Sequence, residues 1–139
     1  MKGKIEEIMK KDVVSVLPGD TALDAARAMQ ERNVGAVAVV SAGALKGVLT
    51  DRDILLRCTL QGKSPASVKA AEIMTGEVAF VSPNQPAQDA AMIMATEQVR
   101  RLPVVKDGIV CGIVSYSDLI RAGEIDTDGL MLSLIHISE

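Results

Sequence analysis

Two short stretches carry the residue types that could do chemistry. In GVLTDRD (47–53) and GIVSYSD (112–118), a hydroxyl residue follows an apolar run and a carboxylate comes three positions later. These are Thr50 with Asp53, and Ser115 with Asp118. On a helix that spacing places hydroxyl and carboxylate about one turn apart at the N-terminus. Two readings share the geometry. In the first, the pair is a capping box that satisfies free amides of the opening turn, with the helix dipole favouring the carboxylate. In the second, the exposed amides and the hydroxyl receive a phosphate, and the carboxylate, an acceptor only, takes two hydrogen bonds from the hydroxyls of a ribose. One residue pair can do both. Arg100 and Arg101 in VRRLPVV add a basic step before an apolar run where the earlier stretch has Gly35 and Ala36. A planar guanidinium fork suits phosphate, and a solvated surface pair is the alternative reading.

Catalytic chemistry finds little to work with. The single histidine, His136, lies in the last eight residues, so no Ser-His or Cys-His arrangement forms in the body of the chain, and the carboxylates lack an acid-base partner. The chain is therefore not expected to be an enzyme. Cys58 and Cys111 are far apart and belong to no CxxC pair. They read as small buried hydrophobes rather than metal or redox groups.

The elements that position these residues come in duplicate. Sliding the chain by 65 positions lays Ile8-Met9 on Ile73-Met74, Asp24-Ala25-Ala26 on Asp89-Ala90-Ala91, Met29 on Met94 and Val39-Val40 on Val104-Val105. The same shift carries Gly43, Gly47 and Asp53 onto Gly108, Gly112 and Asp118, and about a third of the positions from Ile8 to Asp53 are identical without a gap. Each copy reads alike. Val13–Val16 and Val78–Val81 suggest a brief strand. Ala22, Ala26 and Met29, matched by Ala87, Ala91 and Met94, recur at helical spacing as core positions. Thr21 with Asp24 resembles a capping box, and Pro86 suits a first helical turn. Two apolar runs around Ser41-Ala42-Gly43, or Lys106-Asp107-Gly108, read as a hairpin, after which TDRDILLR and SYSDLIR open a second helix.

The predicted order is strand, helix, strand, strand, helix, twice over. A unit of this size cannot cover both faces of its sheet, so the two copies are expected to pack together through their sheets as a pseudo-two-fold pair of mixed α/β (α+β) class. The division expected from the repeats is 1–64, including a linker, and 65–125. A polar segment spans 126–131. Residues 132–139, LSLIHISE, can be encoded by CTG TCT CTT ATA CAC ATC TCC GAG, which resembles an in-frame sequencing adapter. They are read as a non-native tail, with the natural chain expected to continue beyond Met131.

Composition narrows the partners. The 139 residues are 48% hydrophobic, enough for one modest core or two small ones. A net charge of −3, with one Tyr, one Phe and no Trp, gives neither a basic footprint nor stacking aromatics for nucleic acid. The charged start, MKGKIEEIMKKDVV, has no apolar core of a signal peptide, and no run approaches membrane-spanning length. A cytoplasmic protein with no membrane partner is expected.

The duplication, the EIM starts at Glu7 and Glu72, and GVLTDRDIL and GIVSYSDLI together resemble a tandem pair of cystathionine-β-synthase (CBS) domains, a Bateman module of the small stand-alone type. The resemblance spans roughly residues 1 to 122. It implies β-α-β-β-α units paired through their sheets, a homodimeric disc, and clefts that bind AMP, ADP, ATP or S-adenosylmethionine as a regulatory ligand, with no required cofactor. By the family pattern Asp53 and Asp118 hold ribose and Thr50 and Ser115 lie near phosphate. Arg100 and Arg101 occupy the place where the family often has a basic residue facing the cleft. Val14, Val37, Ala79 and Leu102 are the expected aliphatic lining for the base. The other reading is a structural pair with empty clefts that dimerises or docks on a partner, or the sensor of a longer effector protein.

Overall fold

A computed structural model describes residues 3–124. The polar segment and tail read from the sequence lie outside the described residues, as do residues 1 and 2. In chain order the elements are α1 (Ile5–Ile8), β1 (Ser15–Val16), α2 (Ala22–Arg32), β2 (Ala36–Ser41), β3 (Ala44–Thr50), α3 (Asp51–Arg57), α4 (Ala70–Ile73), α5 (Ala87–Glu97), β4 (Arg101–Lys106), β5 (Ile109–Ser115) and α6 (Tyr116–Arg121), with a 3-10 turn at Thr59–Gln61. The protein is of mixed α/β class, and the 65-residue shift carries α1, α2, β2 and β3 onto α4, α5, β4 and β5 without an offset.

The chain divides into two compact units, one formed by Val13–Val78 and the other by the described residues on either side of it. In the first, β1 lies parallel to β2 with Ser15 opposite Ala38, and β2 pairs antiparallel with β3, Ala36 facing Thr50. Helix α2 opens at Thr21, whose hydroxyl accepts from the Asp24 N–H, and ends at Asn33 in the left-handed region. It buries Ala22, Ala25 and Met29 against Val37, Val39, Leu49 and Ile54. Ala25 thus takes the core position expected of Ala26, which is only half-buried.

The second unit repeats this plan. Helix α5 starts after Pro86, which sits at the cap itself, one position before the first helical turn expected for it. Strands β4 and β5 pair with Arg101 opposite Ser115. Both hairpins close through two residues at positive φ, Ala42-Gly43 and Asp107-Gly108, as a two-residue turn between twisted strands requires.

The strand expected at Val78–Val81 shrinks to one parallel bridge, Val81 to Val104. The cause is Pro103. Its counterpart Ala38 donates its N–H to the Val14 carbonyl at 2.9 Å, and proline has no N–H to give.

Packing also crosses the repeat boundary. In the α4 turn, Ala70 and Ala71 donate to the carbonyls of Asp20 and Pro18 at 2.7 and 3.1 Å, so this turn from the second repeat completes the first unit. Reciprocally, Ile5 and Glu6 of α1 donate to Gln85 and Pro83 at 3.0 and 2.8 Å. Ile5 is fully buried and Ile73 nearly so, each in the core of the other repeat's unit. The compact units therefore do not follow the sequence division between 64 and 65.

Candidate functional site

Each unit ends a strand at a hydroxyl residue and turns directly into a short helix. At the β3–α3 junction Thr50 is extended, its hydroxyl accepts the Asp53 N–H at 3.0 Å, and Asp53 Oδ2 accepts the Thr50 N–H at 3.0 Å. At the β5–α6 junction Ser115 Oγ accepts from the Asp118 N–H at 3.1 Å and Asp118 Oδ2 accepts from the Ser115 N–H at 2.9 Å. Both are complete reciprocal boxes, so the capping reading holds at both sites.

The caps occupy one oxygen of each carboxylate, and basic side chains meet the other. Asp53 Oδ1 lies 3.9 Å from Arg57 Nη1, a group already committed to the carbonyls of Ile73 and Met74 at 2.9 and 3.2 Å. Asp118 Oδ1 accepts from Arg121 Nη2 at 2.5 Å and faces Lys10 Nζ at 3.6 Å. The Asp53 side chain is 15% exposed and that of Asp118 5%, while Lys10 and Arg121 are mostly solvated. Asp118 is the one buried charged residue among those described. The helix spacing of Asp53 with Arg57 and of Asp118 with Arg121 is a signal the sequence carries. Lys10 is not, because only folding brings α1 and the residues after it to β5.

The basic step at the start of β4 stands beside this second junction. Arg101 is opposite Ser115 in the strand register. Arg100 accepts the Tyr116 N–H on its carbonyl at 2.8 Å and holds its guanidinium 4.8 Å from the centre of the Tyr116 ring. Both arginines are exposed, and neither has a carboxylate within ion-pair distance among the described residues. Among the expected lining residues, Val14 and Ala79 are half-buried, whereas Val37 and Leu102 are 2% and 1% exposed within their cores.

The motif glycines are a residue role that spacing alone did not assign. A Cβ on Gly47 would meet the Thr75 carbonyl oxygen at 2.5 Å, and one on Gly112 would meet Met9 Sδ at 2.6 Å. The segments after α4 and α1 run against β3 and β5 at these points, so only a residue without a side chain leaves room. Cys58 is buried as expected, but Cys111 is partly exposed. Among the described residues no group of three or more His, Cys, Asp or Glu side chains could hold a metal ion. None of the described helices is long and apolar enough to cross a membrane.

Two units of one plan, each carrying a strand-to-helix hydroxyl–carboxylate box, define a tandem pair of mixed α/β domains. The CBS domain family profile matches residues 5–58 and 70–124, and the chain belongs to that family, whose paired domains are generally regulatory. It is 43% identical over 115 residues to the CBS domain-containing protein YhcV of Bacillus subtilis, covering 83% of this chain and 81% of that one. Among solved structures it is similar to Hypoxic Response Protein I with two coordinated zinc ions, at 32% identity and a TM-score of 0.79 over 85% of this chain and 97% of that one. The CBS domain pair of MJ0100, in complex with 5′-methylthioadenosine and S-adenosyl-L-methionine, aligns at 25% identity and a TM-score of 0.78 over 89% of this chain and 98% of that one.

Proposed function

We propose that this CBS pair is a regulatory, non-catalytic module of the cytoplasm that senses an adenosine-containing ligand, AMP, ADP, ATP or S-adenosylmethionine, at its strand–helix junctions. The observation that carries the reading is the second junction, where Arg101, without an acidic partner among the described residues, stands across from the Ser115 hydroxyl of a box whose carboxylate, Asp118, is buried. Ribose hydroxyls would donate to Oδ1 of Asp118 or Asp53, leaving the caps intact on Oδ2. Phosphate would meet the Ser115 hydroxyl, or that of Thr50, and the two arginines. Val14 and Ala79 offer aliphatic surface to the base. The adenosine ligands of the MJ0100 pair support this class of ligand.

Calorimetric titration of the parent, Asp53→Ala and Asp118→Ala with each of the four ligands tests the proposal. Losing a charged acceptor for two hydroxyls costs about 1.5–3 kcal/mol, roughly tenfold to a hundredfold in affinity. A parent that binds none of them, or two variants that bind as the parent does, overturns it.

A second reading has its own observation. Leu55 and Leu60 are 51% and 65% exposed with Leu56 beside them, an apolar surface on and just after α3 that suits a homodimer or an effector protein. Ile54 of the same helix packs in the core, and Ile120 on α6 is half-buried.

A further inference from the structure

Resting on the adenosine-ligand reading, we infer that the residue after each junction hydroxyl sets the charge of ligand that the junction accepts: Tyr116 makes the second a phosphate-accepting one, and Asp51 turns phosphate away from the first. The two positions are equivalent in the repeat and share one backbone bond. The Tyr116 N–H donates to the Arg100 carbonyl at 2.8 Å, and the Asp51 N–H donates to the Gly35 carbonyl at 3.0 Å. What hangs from that shared frame is opposite in charge. At the second junction the Tyr116 ring carries the Arg100 guanidinium at 4.8 Å, holding a cation next to Arg101 and the Ser115 hydroxyl. At the first junction the Asp51 carboxylate occupies the space over Gly35, its Oδ2 3.4 Å from where a Cβ of that glycine would lie, and no arginine is available at 35 or 36.

An arginine free in solvent samples many rotamers, whereas one resting on an aromatic face has given up much of that freedom before the phosphate arrives. Tyr116 is thus a positioning residue that acts through Arg100. Asp51 adds a second carboxylate within two residues of Asp53, which favours an uncharged or cationic adenosine compound there over a nucleotide.

The protein contains one Tyr and no Trp, so its tyrosine emission reports on residue 116 alone. Parent, Tyr116→Leu, Tyr116→Phe and Asp51→Asn would each be titrated with ATP and with adenosine, following heat in all four and tyrosine emission in the parent and Asp51→Asn, with circular dichroism confirming the fold. The expected results are ATP affinity two- to fivefold weaker in Tyr116→Leu with adenosine unchanged, near-parental ATP affinity in Tyr116→Phe, and tighter or additional ATP binding in Asp51→Asn. In the parent, ATP but not adenosine should change the emission, as phosphate pairs with the guanidinium held over the ring. Equal weakening of ATP and adenosine in Tyr116→Leu, or no change in either, overturns the inference and leaves the adenosine reading standing. A parent that binds neither compound overturns both.

Discussion

Replacing Gly47 by Ala adds one methyl group and should cost about 2–6 kcal/mol. The new Cβ would lie 2.5 Å from the Thr75 carbonyl oxygen and 2.8 Å from Met74 Sδ, where ordinary contacts begin at 3.4 Å. Met74 can swing aside. The carbonyl cannot, because Val48 and Thr75 exchange both of their backbone bonds, at 3.0 and 2.9 Å, alongside this point. Moving the segment by the missing ångström strains or breaks these two bonds, each contributing about 0.5–1.5 kcal/mol net, and overpacking adds about 1–3 kcal/mol. Of a total stability of roughly 5–15 kcal/mol this is a large share. Gly112→Ala should cost less, since its nearest atom is the flexible Met9 sulfur and the Lys10 carbonyl oxygen is farther off, at 3.0 Å. Gly19→Ala is the control, because nothing lies within 4 Å of the added methyl, and it should move stability by less than about 0.5 kcal/mol or raise it slightly. Urea unfolding followed by far-ultraviolet circular dichroism gives all three values. A Gly47→Ala protein within 0.5 kcal/mol of the parent, or less affected than Gly112→Ala, would refute the argument that the crossing segment dictates this glycine.

The Asp24 carboxylate is held below its ordinary range, first by the hydrogen bond from the Thr21 backbone, then by the Thr21 hydroxyl, and less by Arg27. A folded-state value below the unfolded one gives stability that is present above about pH 4 and lost as pH falls through the lowered value. Asp24→Asn should therefore flatten the acid limb of the stability profile below that pH, and an unchanged limb in acid-titrated melts would count against it. The exposed Leu55 and Leu60 surface predicts a homodimer in solution. Sedimentation of the parent at micromolar concentration should give twice the chain mass and Leu55→Glu should shift it toward one, while a parental monomer with and without nucleotide refutes the idea.

The repeat, the hairpin turns and the caps were legible because each depends on neighbours in sequence. Gly43 and Gly108 mark the turns, and a hydroxyl three residues before Asp marks the starts of α2, α3 and α6, at Thr21, Thr50 and Ser115. Failures came where a residue's partner is distant. The α1 and α4 turns have one buried isoleucine each, too little periodicity to register, and their exchange between repeats is a property of the assembled cores. The strand lost at Val78–Val81 had its cause in view in Pro103, but the consequence follows only once β4 is known to lie beside Val81. At the candidate site the spacing located the boxes and missed Lys10, and it left the two readings of each box unseparated.

Those readings need not exclude each other, and the allocation of carboxylate oxygens shows why. The fold uses Oδ2 of Asp53 and Asp118, and solvated cations share Oδ1. At Asp118 a ribose would displace the Arg121 and Lys10 side chains, 62% and 64% exposed, from a carboxylate that is itself 5% exposed. Two hydroxyls donating to the same charged oxygen would contribute about 1.5–3 kcal/mol between them before the ligand's ordering cost. On the proposed reading the exchange would leave the Ser115 bonds untouched. At Asp53 the competing contact is already long at 3.9 Å, and Arg57 keeps its bonds to Ile73 and Met74 whichever partner Asp53 takes. On the proposed reading a ligand would arrive or leave at either junction by exchanging cations on Oδ1, one at Asp53 and two at Asp118, without uncapping the helix that presents the carboxylate.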